Sequence, residues 1–260
     1  MSKMPSLFIS HGSPEMAVRP SPAHRFLSGF AAELPRPRSI LVVSAHWETA
    51  HPMVASGAAP ATVYDFRGFD PQLRLIDYAA PGDPETAKRA ADLLKMAGFP
   101  TSLDEHRGRD HGVWAPLHLL YPDHEIPVIQ VSMQPDADAA YHLRLGRALQ
   151  PLRDEGVLII GSGSMTHNLS AFRGQPVDAP VPTWVADFTT WMERELTSTH
   201  PETTVAYREA APFAAENHPE AEHILPLFVA LGATLPREPI RRVHASVEHG
   251  VLAMDVYRFG

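Results

Sequence analysis

The chain contains no cysteine, which excludes disulfides and thiolate metal sites and leaves His, Asp and Glu as the available metal ligands. It has no apolar run approaching the ~20 residues of a transmembrane helix, and no signal-peptide pattern at its amino terminus. Basic charge is also scarce, because 22 Lys and Arg face 30 Asp and Glu for a net charge of -8. Nucleic-acid binding needs a basic surface. We therefore expect a cytoplasmic protein that binds neither nucleic acid nor a membrane.

Strand-like apolar runs alternate with amphipathic segments along the chain, which is typical of an α/β fold. The expected strands cover residues 6–10, 39–45, 101–104, 126–132, 156–161, 241–245 and 251–259, and the expected helices cover residues 21–34, 84–97, 136–153, 181–197 and 218–231. Residues 48–80 form a long irregular stretch, and such loops are usually functional. We predict one domain over residues 1–260, an α/β sandwich with a central mixed sheet flanked by helices. Its active site would lie at the carboxyl ends of the strands.

Five histidines stand where a strand-like run ends or a helix begins: His11, His46, His111, His167 and His223. Taken singly, each has an ordinary explanation; His11 would cap the sheet, and His46 would pack beside an indole. However, residues that leave the carboxyl ends of neighbouring strands converge on one crevice, and His is the commonest protein ligand for zinc and iron. The pattern therefore favours a mononuclear metal site.

His111 lies in a predicted loop next to Asp110, which either orients the imidazole through a hydrogen bond or only caps the turn before Trp114. A histidine on a surface loop is the plain alternative. His167 ends the segment Gly-Ser-Gly-Ser-Met-Thr-His, which lacks the lysine and spacing of a phosphate-binding loop. Its small residues leave room for a planar substrate, with His167 at the edge as an acid/base.

The third protein ligand is sought among residues 216–223, where several side chains can bind a metal. His218 and Glu222 are four residues apart and would share one helix face, with His223 almost a third of a turn further on. We favour His223, because the apolar residues after it place the next turn in the core. Glu222 is the competitor and would complete a 2-His-1-carboxylate site of the non-haem iron type. A solvated, acidic helix start is the remaining alternative.

Five motifs stand in a characteristic order: His-Gly-Ser-Pro, Ser-Ala-His-Trp, Asp-His-Gly-Val-Trp, Ser-Met-Thr-His-Asn-Leu and Glu-His-Ile-Leu-Pro-Leu. In this order, over essentially the whole chain, they resemble the class III extradiol ring-cleavage dioxygenases, specifically the branch similar to DOPA 4,5-dioxygenase. The resemblance implies an enzyme that opens the ring of a catechol-type substrate with O2 to give a semialdehyde. It also implies Fe(II) for activity, with Zn(II) as a metal that isolated proteins of this branch often contain.

Carried over motif by motif, the resemblance assigns the metal to His11, His46 and His223, and catalysis to His167 and His111. Other class III enzymes use Glu as the third ligand, whereas this branch uses the His of Glu-His-Ile-Leu-Pro-Leu. The motifs also contain polar and aromatic residues that we expect to contact the substrate: Ser44, Asp110, Trp114 and Ser164.

Two other functions fit the same residues. Three neutral imidazoles with one open position also describe a hydrolytic zinc site, which would need no dioxygen. A non-catalytic relative would use the pocket only to bind a ligand. The expected partners are a small aromatic diol and O2, and a homo-oligomeric assembly is compatible with the sequence.

Overall fold

Eight strands form one sheet whose central strands are parallel, and their parallel carboxyl ends meet at one edge. The computed structural model describes residues 3–260. Within that range the strands are β1 (Ser6–Ser10), β2 (Ser39–Glu48), β3 (Met53–Ala55), β4 (Ser102–Asp104), β5 (Val128–Met133), β6 (Val157–Gly163), β7 (Ile240–His244), β8 (Val247–Glu248), β9 (Leu252–Ala253) and β10 (Val256–Phe259). The order across the sheet is β4-β3-β5-β2-β6-β1-β10-β7, and β8 pairs with β9 separately. β10 runs antiparallel to both of its neighbours, so the sheet is mixed, as predicted.

Helices cover both faces of the sheet. They are α1 (Pro22–Phe30), α2 (Pro84–Met96), α3 (His111–Leu120), α4 (Ala139–Leu149), α5 (Leu169–Phe172), α6 (Thr183–Leu196), α7 (Tyr207–Ala210), α8 (Ala214–Asn217) and α9 (Leu225–Gly232). Successive side chains of β2 point to opposite faces, so that Ile40 and Val42 lie in one hydrophobic core and Leu41 and Val43 in the other. The first core also contains residues of α1 and α3, and the second contains residues of α2, α4, α6 and α9.

The main elements of the predicted fold are present, and most of their boundaries shift by a few residues. The long helix predicted from Ser21 ends at Phe30 and continues as a 3-10 turn, and Ser21 is its N-cap as expected. The irregular stretch at 48–80 contains the short strand β3 and a 3-10 turn over Pro71–Leu75. The strand predicted over residues 156–161 extends to Gly163, so that the small residues after it belong partly to the sheet.

Two predictions near the site were wrong. His111 does not lie in a loop but is the first residue of α3, a helix that is buried on all sides and contains Pro116. A helix without a polar face has no amphipathic pattern, and its internal proline argues against a helix. The helix predicted over residues 218–231 begins only at Leu225, with Pro226 in its first turn, and residues 221–224 form a turn. His218 and Glu222 therefore do not share a helix face.

Candidate metal centre

The site lies at the carboxyl ends of the parallel strands β1, β2 and β6. In the sheet register, Ser162 of β6 stands beside Ile9 of β1 on one side and beside Ser44 of β2 on the other. His11 follows β1 directly, and its backbone N–H donates to the carbonyl of Gly163 at 2.8 Å. Because the three strands end at the same level, the segments that follow them surround one point.

The hydrogen bonds of His11 determine which of its ring nitrogens is free. The imidazole is fully buried, and its Nδ1 lies 3.0 Å from the Oγ of Ser162. That hydroxyl donates its single proton to the carbonyl of Gly112, so it accepts from His11 Nδ1–H. Burial, followed by the nearby His46 and other site histidines, holds the pKa of His11 well below its usual value. The ring is therefore neutral, and Nε2 carries a free lone pair.

His46 lies in the last residues of β2, where the pairing with β5 shifts register between Val43 and Glu48. Such an irregularity redirects side chains at the end of a strand. The Nε2 of His46 lies 3.1 Å from the Nε2 of His11. Burial, followed by the neighbouring His111, lowers the pKa of His46 to about 4, although nearby carboxylates oppose that shift. His46 is therefore also a neutral imidazole at neutral pH.

His223 reaches the same point from the turn before α9. Its carbonyl accepts the backbone N–H of Ser164 at 2.8 Å, and its Nδ1 lies 2.7 Å from the Oε1 of Glu222. One nitrogen each of His11, His46 and His223 lies within 4.8 Å of the other two. Two nitrogens on one tetrahedral zinc ion, at bonds of about 2.0–2.1 Å, would be about 3.3 Å apart. The spacing of His11 and His46 and the neutral rings thus fit a divalent metal.

Two glycines of β6 allow the His223 turn to pack directly on the strand. A Cβ on Gly163 would lie 2.0 Å from the carbonyl oxygen of His223, and one on Gly161 would lie 2.0 Å from that of Pro226. Real Cβ atoms do not come so close to a backbone oxygen. The Gly-Ser-Gly-Ser segment is therefore the surface on which the turn of the proposed third ligand packs. Ser162 of the same segment bonds to His11.

His167 stacks on His223, with ring centroids 3.4 Å apart and an angle of 13° between the rings. Its Nδ1 lies 3.5 Å from the same Oε1 of Glu222 that His223 contacts. The backbone N–H of His167 donates to the carbonyl of Asn217, which holds the segment after β6 against the segment before α9. The imidazole is partly exposed, with 16% of its side chain accessible. It therefore lies beside the three histidines at a point that solvent reaches.

His111 is held by Asp65 and not by Asp110. The Oδ1 of Asp65 accepts from the Nδ1 of His111 at 2.9 Å and from its backbone N–H at 3.0 Å. Burial alone would raise the pKa of Asp65, but these hydrogen bonds outweigh it and lower the pKa to about 2. The rings of His111 and His46 are 4.0 Å apart between centroids, so the structure brings His111 to the same site.

Asp65 is the residue that the sequence analysis missed. It belongs to the irregular stretch at 48–80, between Tyr64 and Phe66, and Phe66 packs edge-on against His111 at 5.7 Å. The signal that was available was an acidic residue between two aromatic residues in a loop of functional length. Nothing in the local sequence shows that this loop folds back over the strand ends.

The four expected substrate contacts are all fully buried, and their polar groups bond within the protein. The Oγ of Ser44 donates to Asp110 at 2.6 Å, and the other carboxylate oxygen of Asp110 accepts from Arg107 and Gln130. The indole N–H of Trp114 donates to the carbonyl of Val63. Ser164 Oγ donates to the carbonyl of Thr166. Because these polar groups already bond to other groups of the protein, the substrate-binding role of the four residues stays a prediction.

Comparison with known proteins identifies the family. Residues 1–253 match the family of the catalytic LigB subunit of aromatic ring-opening dioxygenase. Because that match covers nearly the whole chain, the protein belongs to this family. It is therefore an aromatic ring-opening dioxygenase, which acts on an aromatic substrate with O2, as the order of the five motifs indicated.

Individual relatives agree with this assignment. A protein of Beta vulgaris named 4,5-DOPA dioxygenase extradiol is 43% identical, with 98% of this chain and 96% of that protein covered. A protein of the same name from Escherichia coli K12 is 37% identical over 100% of this chain and 96% of its own length. The crystal structure of an uncharacterized protein of Escherichia coli K12 superposes with a TM-score of 0.83, at 34% identity over 99% of this chain and 100% of that one.

Among residues 3–260, no helix is both long and apolar enough to cross a membrane.

Proposed function

We propose that this protein is a metal-dependent extradiol dioxygenase that opens the ring of a catechol of the DOPA type to a semialdehyde, with Fe(II) as the active metal. The observation that carries this proposal is the convergence of His11, His46 and His223, whose ligand nitrogens lie within 4.8 Å of one another. Zn(II) suits the same nitrogens, so we expect it to bind without supporting turnover. The names of the relatives support a DOPA-like substrate.

In this proposal three neutral imidazoles hold the metal: those of His11, His46 and His223. A bound divalent ion would supply a Lewis acid that favours ionisation of a catechol hydroxyl, and the redox chemistry that O2 activation requires. Glu222 is not a ligand in this proposal. Its carboxylate bonds to the Nδ1 of His223 and does not belong to the group of side chains that His11 and His46 form.

His167 is the proposed acid/base. It lies against His223 and is partly exposed, so a planar ring at the site can reach it. An imidazole side chain can accept a proton and return it later in a reaction. We propose that His167 takes the proton that the diol loses and returns it after the ring has opened.

His111 is the proposed contact to the substrate or to O2. Because its Nδ1–H donates to Asp65, the ring of His111 in its neutral form presents Nε2 as an acceptor. The partner on the substrate side is then an O–H group. A catechol hydroxyl that keeps its proton is such a group, and His111 would orient it relative to His167.

The experiment that tests this function starts from metal-free protein, loaded anaerobically with Fe(II) or with Zn(II). Air is then admitted with a panel of catechols that includes DOPA, and oxygen uptake is recorded together with the yellow absorbance of a semialdehyde. We expect stoichiometric uptake with Fe(II) alone. Full Fe(II) occupancy without oxygen uptake on any catechol would contradict the proposal.

Two substitutions separate the proposed roles of the histidines. His167→Ala should keep full metal content and slow turnover by roughly 100-fold or more, the range of general acid/base residues. His223→Ala should lose the metal, because one of three ligands is gone. Metal content by atomic emission and turnover by oxygen electrode provide the two measurements. Metal loss in His167→Ala, or full metal content in His223→Ala, would contradict the assignment.

A further inference from the structure

Two carboxylates lie beside the histidines of the site, and each is adjacent to two rings: Asp65 to those of His111 and His46, and Glu222 to those of His223 and His167. We propose that Asp65 and Glu222 are positioning residues, which fix the orientation and the tautomer of the histidines that face the metal and the substrate. The inference rests on the proposed function for the roles of the histidines. The contacts from which it is argued do not depend on those roles.

Glu222 stands between a proposed ligand and the proposed acid/base. Its Oε1 lies 2.7 Å from the Nδ1 of His223 and 3.5 Å from the Nδ1 of His167. The two rings stack almost in parallel, with an angle of 13° between them. One oxygen atom thus holds His223 by a hydrogen bond and limits where the ring of His167 can turn.

Asp65 occupies the corresponding position beside the other pair of rings, those of His111 and His46. Its Oδ1 accepts from the ring and the backbone of His111, and its Oδ2 lies 3.7 Å from the Nδ1 of His46. His46 is a proposed ligand, and His111 is a proposed substrate contact. As with Glu222, one proposed ligand and one proposed catalytic imidazole share a carboxylate, here contributed by a loop residue far away in the sequence.

The chemical consequence is the same on both sides. A neutral imidazole that donates Nδ1–H to a carboxylate presents Nε2 as a lone pair, and hydrogen-bond partners of this kind commonly set the tautomer of metal-binding histidines. His223 and His111 each make such a bond, whereas Ser162 has this role for His11. Loss of either carboxylate should therefore change the ring that it bonds and spare the other ring.

The first test reads the tautomers directly in metal-free protein. Long-range proton–nitrogen NMR spectra of histidine-labelled protein at pH 8 distinguish Nδ1–H from Nε2–H rings. We expect Glu222→Ala to release Nδ1–H on His223 alone, and Asp65→Ala to release it on His111 alone. Asp65→Asn and Glu222→Gln keep an acceptor oxygen and should restore the wild-type tautomer. Unchanged tautomers in both alanine variants would overturn the proposal.

The second test uses zinc alone as the probe. Glu222→Ala should weaken zinc binding by about 10–100-fold, the usual effect of losing the hydrogen-bond partner of a ligating histidine. Asp65→Ala should weaken it far less, because its direct hydrogen bond is to His111, and should instead slow catechol turnover in the Fe(II) enzyme. Equal losses of zinc affinity in both variants would indicate general damage to the site and overturn the division of roles.

Matched controls come from the same two segments. Asp77 lies in the same loop as Asp65 and accepts a hydrogen bond from Thr62 at 2.7 Å, and Glu220 is an exposed neighbour of Glu222. Asp77→Ala and Glu220→Ala should leave tautomers and zinc affinity as in the wild type. If either control reproduces the effect of its neighbour, the positioning role is refuted. The tautomer spectra and the zinc affinities involve no oxygen, so a protein that cleaves no catechol can still confirm both.

Discussion

At the scale of single residues, the hydrogen-bond partner of the Nδ1 nitrogen decides what each histidine of the site can do. His11, His111 and His223 are held through Nδ1 by acceptors of two chemical kinds: a serine hydroxyl for His11, and a carboxylate for each of the other two. All three contacts leave Nε2 unprotonated in a neutral ring. The identity of these acceptors, more than the presence of histidine, defines the candidate site.

Ser162→Ala tests this view where the acceptor is neutral. The substitution removes the only hydrogen-bond acceptor of His11 Nδ1 among residues 3–260, so the buried ring loses its fixed tautomer. We expect zinc affinity to fall by about 10–100-fold, measured by competition with a chromophoric chelator.

Ser6→Ala is the matched control, because Ser6 is a buried serine at the other end of β1 whose hydroxyl donates to Ala230. It should cost a similar hydrogen bond yet leave zinc affinity unchanged. Wild-type zinc affinity in Ser162→Ala would show that His11 needs no acceptor on Nδ1.

At the scale of elements, the loop between β3 and α2 carries Asp65 to the site, and a buried cation holds the loop. The guanidinium of Arg109 donates to the carbonyls of Pro60, Tyr78 and Pro81 in or next to this loop, and to that of Val128 in β5. Burial lowers the pKa of Arg109 to about 10, so it stays charged at neutral pH. One side chain thus joins several backbone carbonyls of the loop to one another and to β5, in addition to the backbone bonds of Arg109 with Ala61 and Val63.

Arg109→Lys should loosen this loop, because an ammonium group is compact and cannot reach the same set of carbonyls. We expect a loss of about 1–3 kcal/mol in the free energy of unfolding from the carbonyls left unpaired. Amide exchange should accelerate over residues 56–83, and catechol turnover should fall while zinc affinity is retained. Hydrogen exchange by mass spectrometry and denaturant titration measure these changes.

Arg89→Lys provides the comparison, since Arg89 is an exposed arginine of α2 that pairs with Glu155. Exposed ion pairs contribute little to stability, so this variant should match the wild type. An Arg109→Lys protein with unchanged exchange in the loop would mean that the aromatic contacts of Tyr64 and Phe66 hold it by themselves.

At the scale of the whole molecule, buried histidines make the stability of the metal-free protein depend on pH. Burial lowers the pKa of His142 to about 4 and that of His218 to about 3, from an ordinary value of 6.5. The unfolded chain therefore binds more protons than the folded chain between about pH 6.5 and 4, and stability falls as the pH falls through that window. The buried site histidines add to the same trend.

One buried carboxyl opposes this trend. Burial raises the pKa of Asp255 from 3.8 to about 7, so this group binds its proton more strongly in the folded chain and favours folding as the pH falls below 7. Each proton changes the slope by about 1.4 kcal/mol per pH unit at most. Several histidines outweigh one aspartate, so the net free energy of unfolding should fall from pH 7 to pH 4.5.

Denaturant titrations of chelator-treated protein across this range provide the measurement, with two variants that shift the slope in opposite directions. His142→Gln should make the profile shallower, because one depressed pKa is gone. Asp255→Asn should make it steeper, because the opposing group is gone. A profile that is flat, or that rises as the pH falls, would refute the neutral, buried state of these histidines.

Much of the fold, and of the set of candidate histidines, is determined by local hydrophobic patterns that can be recognised in the sequence. The continuous apolar runs before His11 and His46 predict buried parallel strands, and the histidines after them are at the correct edge of the sheet. The absence of cysteine restricted the metal ligands to His, Asp and Glu. These inferences hold because strand burial and ligand chemistry depend on residue type and short-range order.

Only the tertiary structure decided the contacts that join distant segments. Asp65 reaches His111 across 46 positions, Ser162 reaches His11 across 151, and no local pattern encodes either pair. α3 was missed because burial on every side removes the amphipathic pattern from which a helix is predicted. The tautomers of His11 and His111 follow from those long-range contacts, since such a hydrogen bond depends on where two distant groups meet and not on which residues precede them.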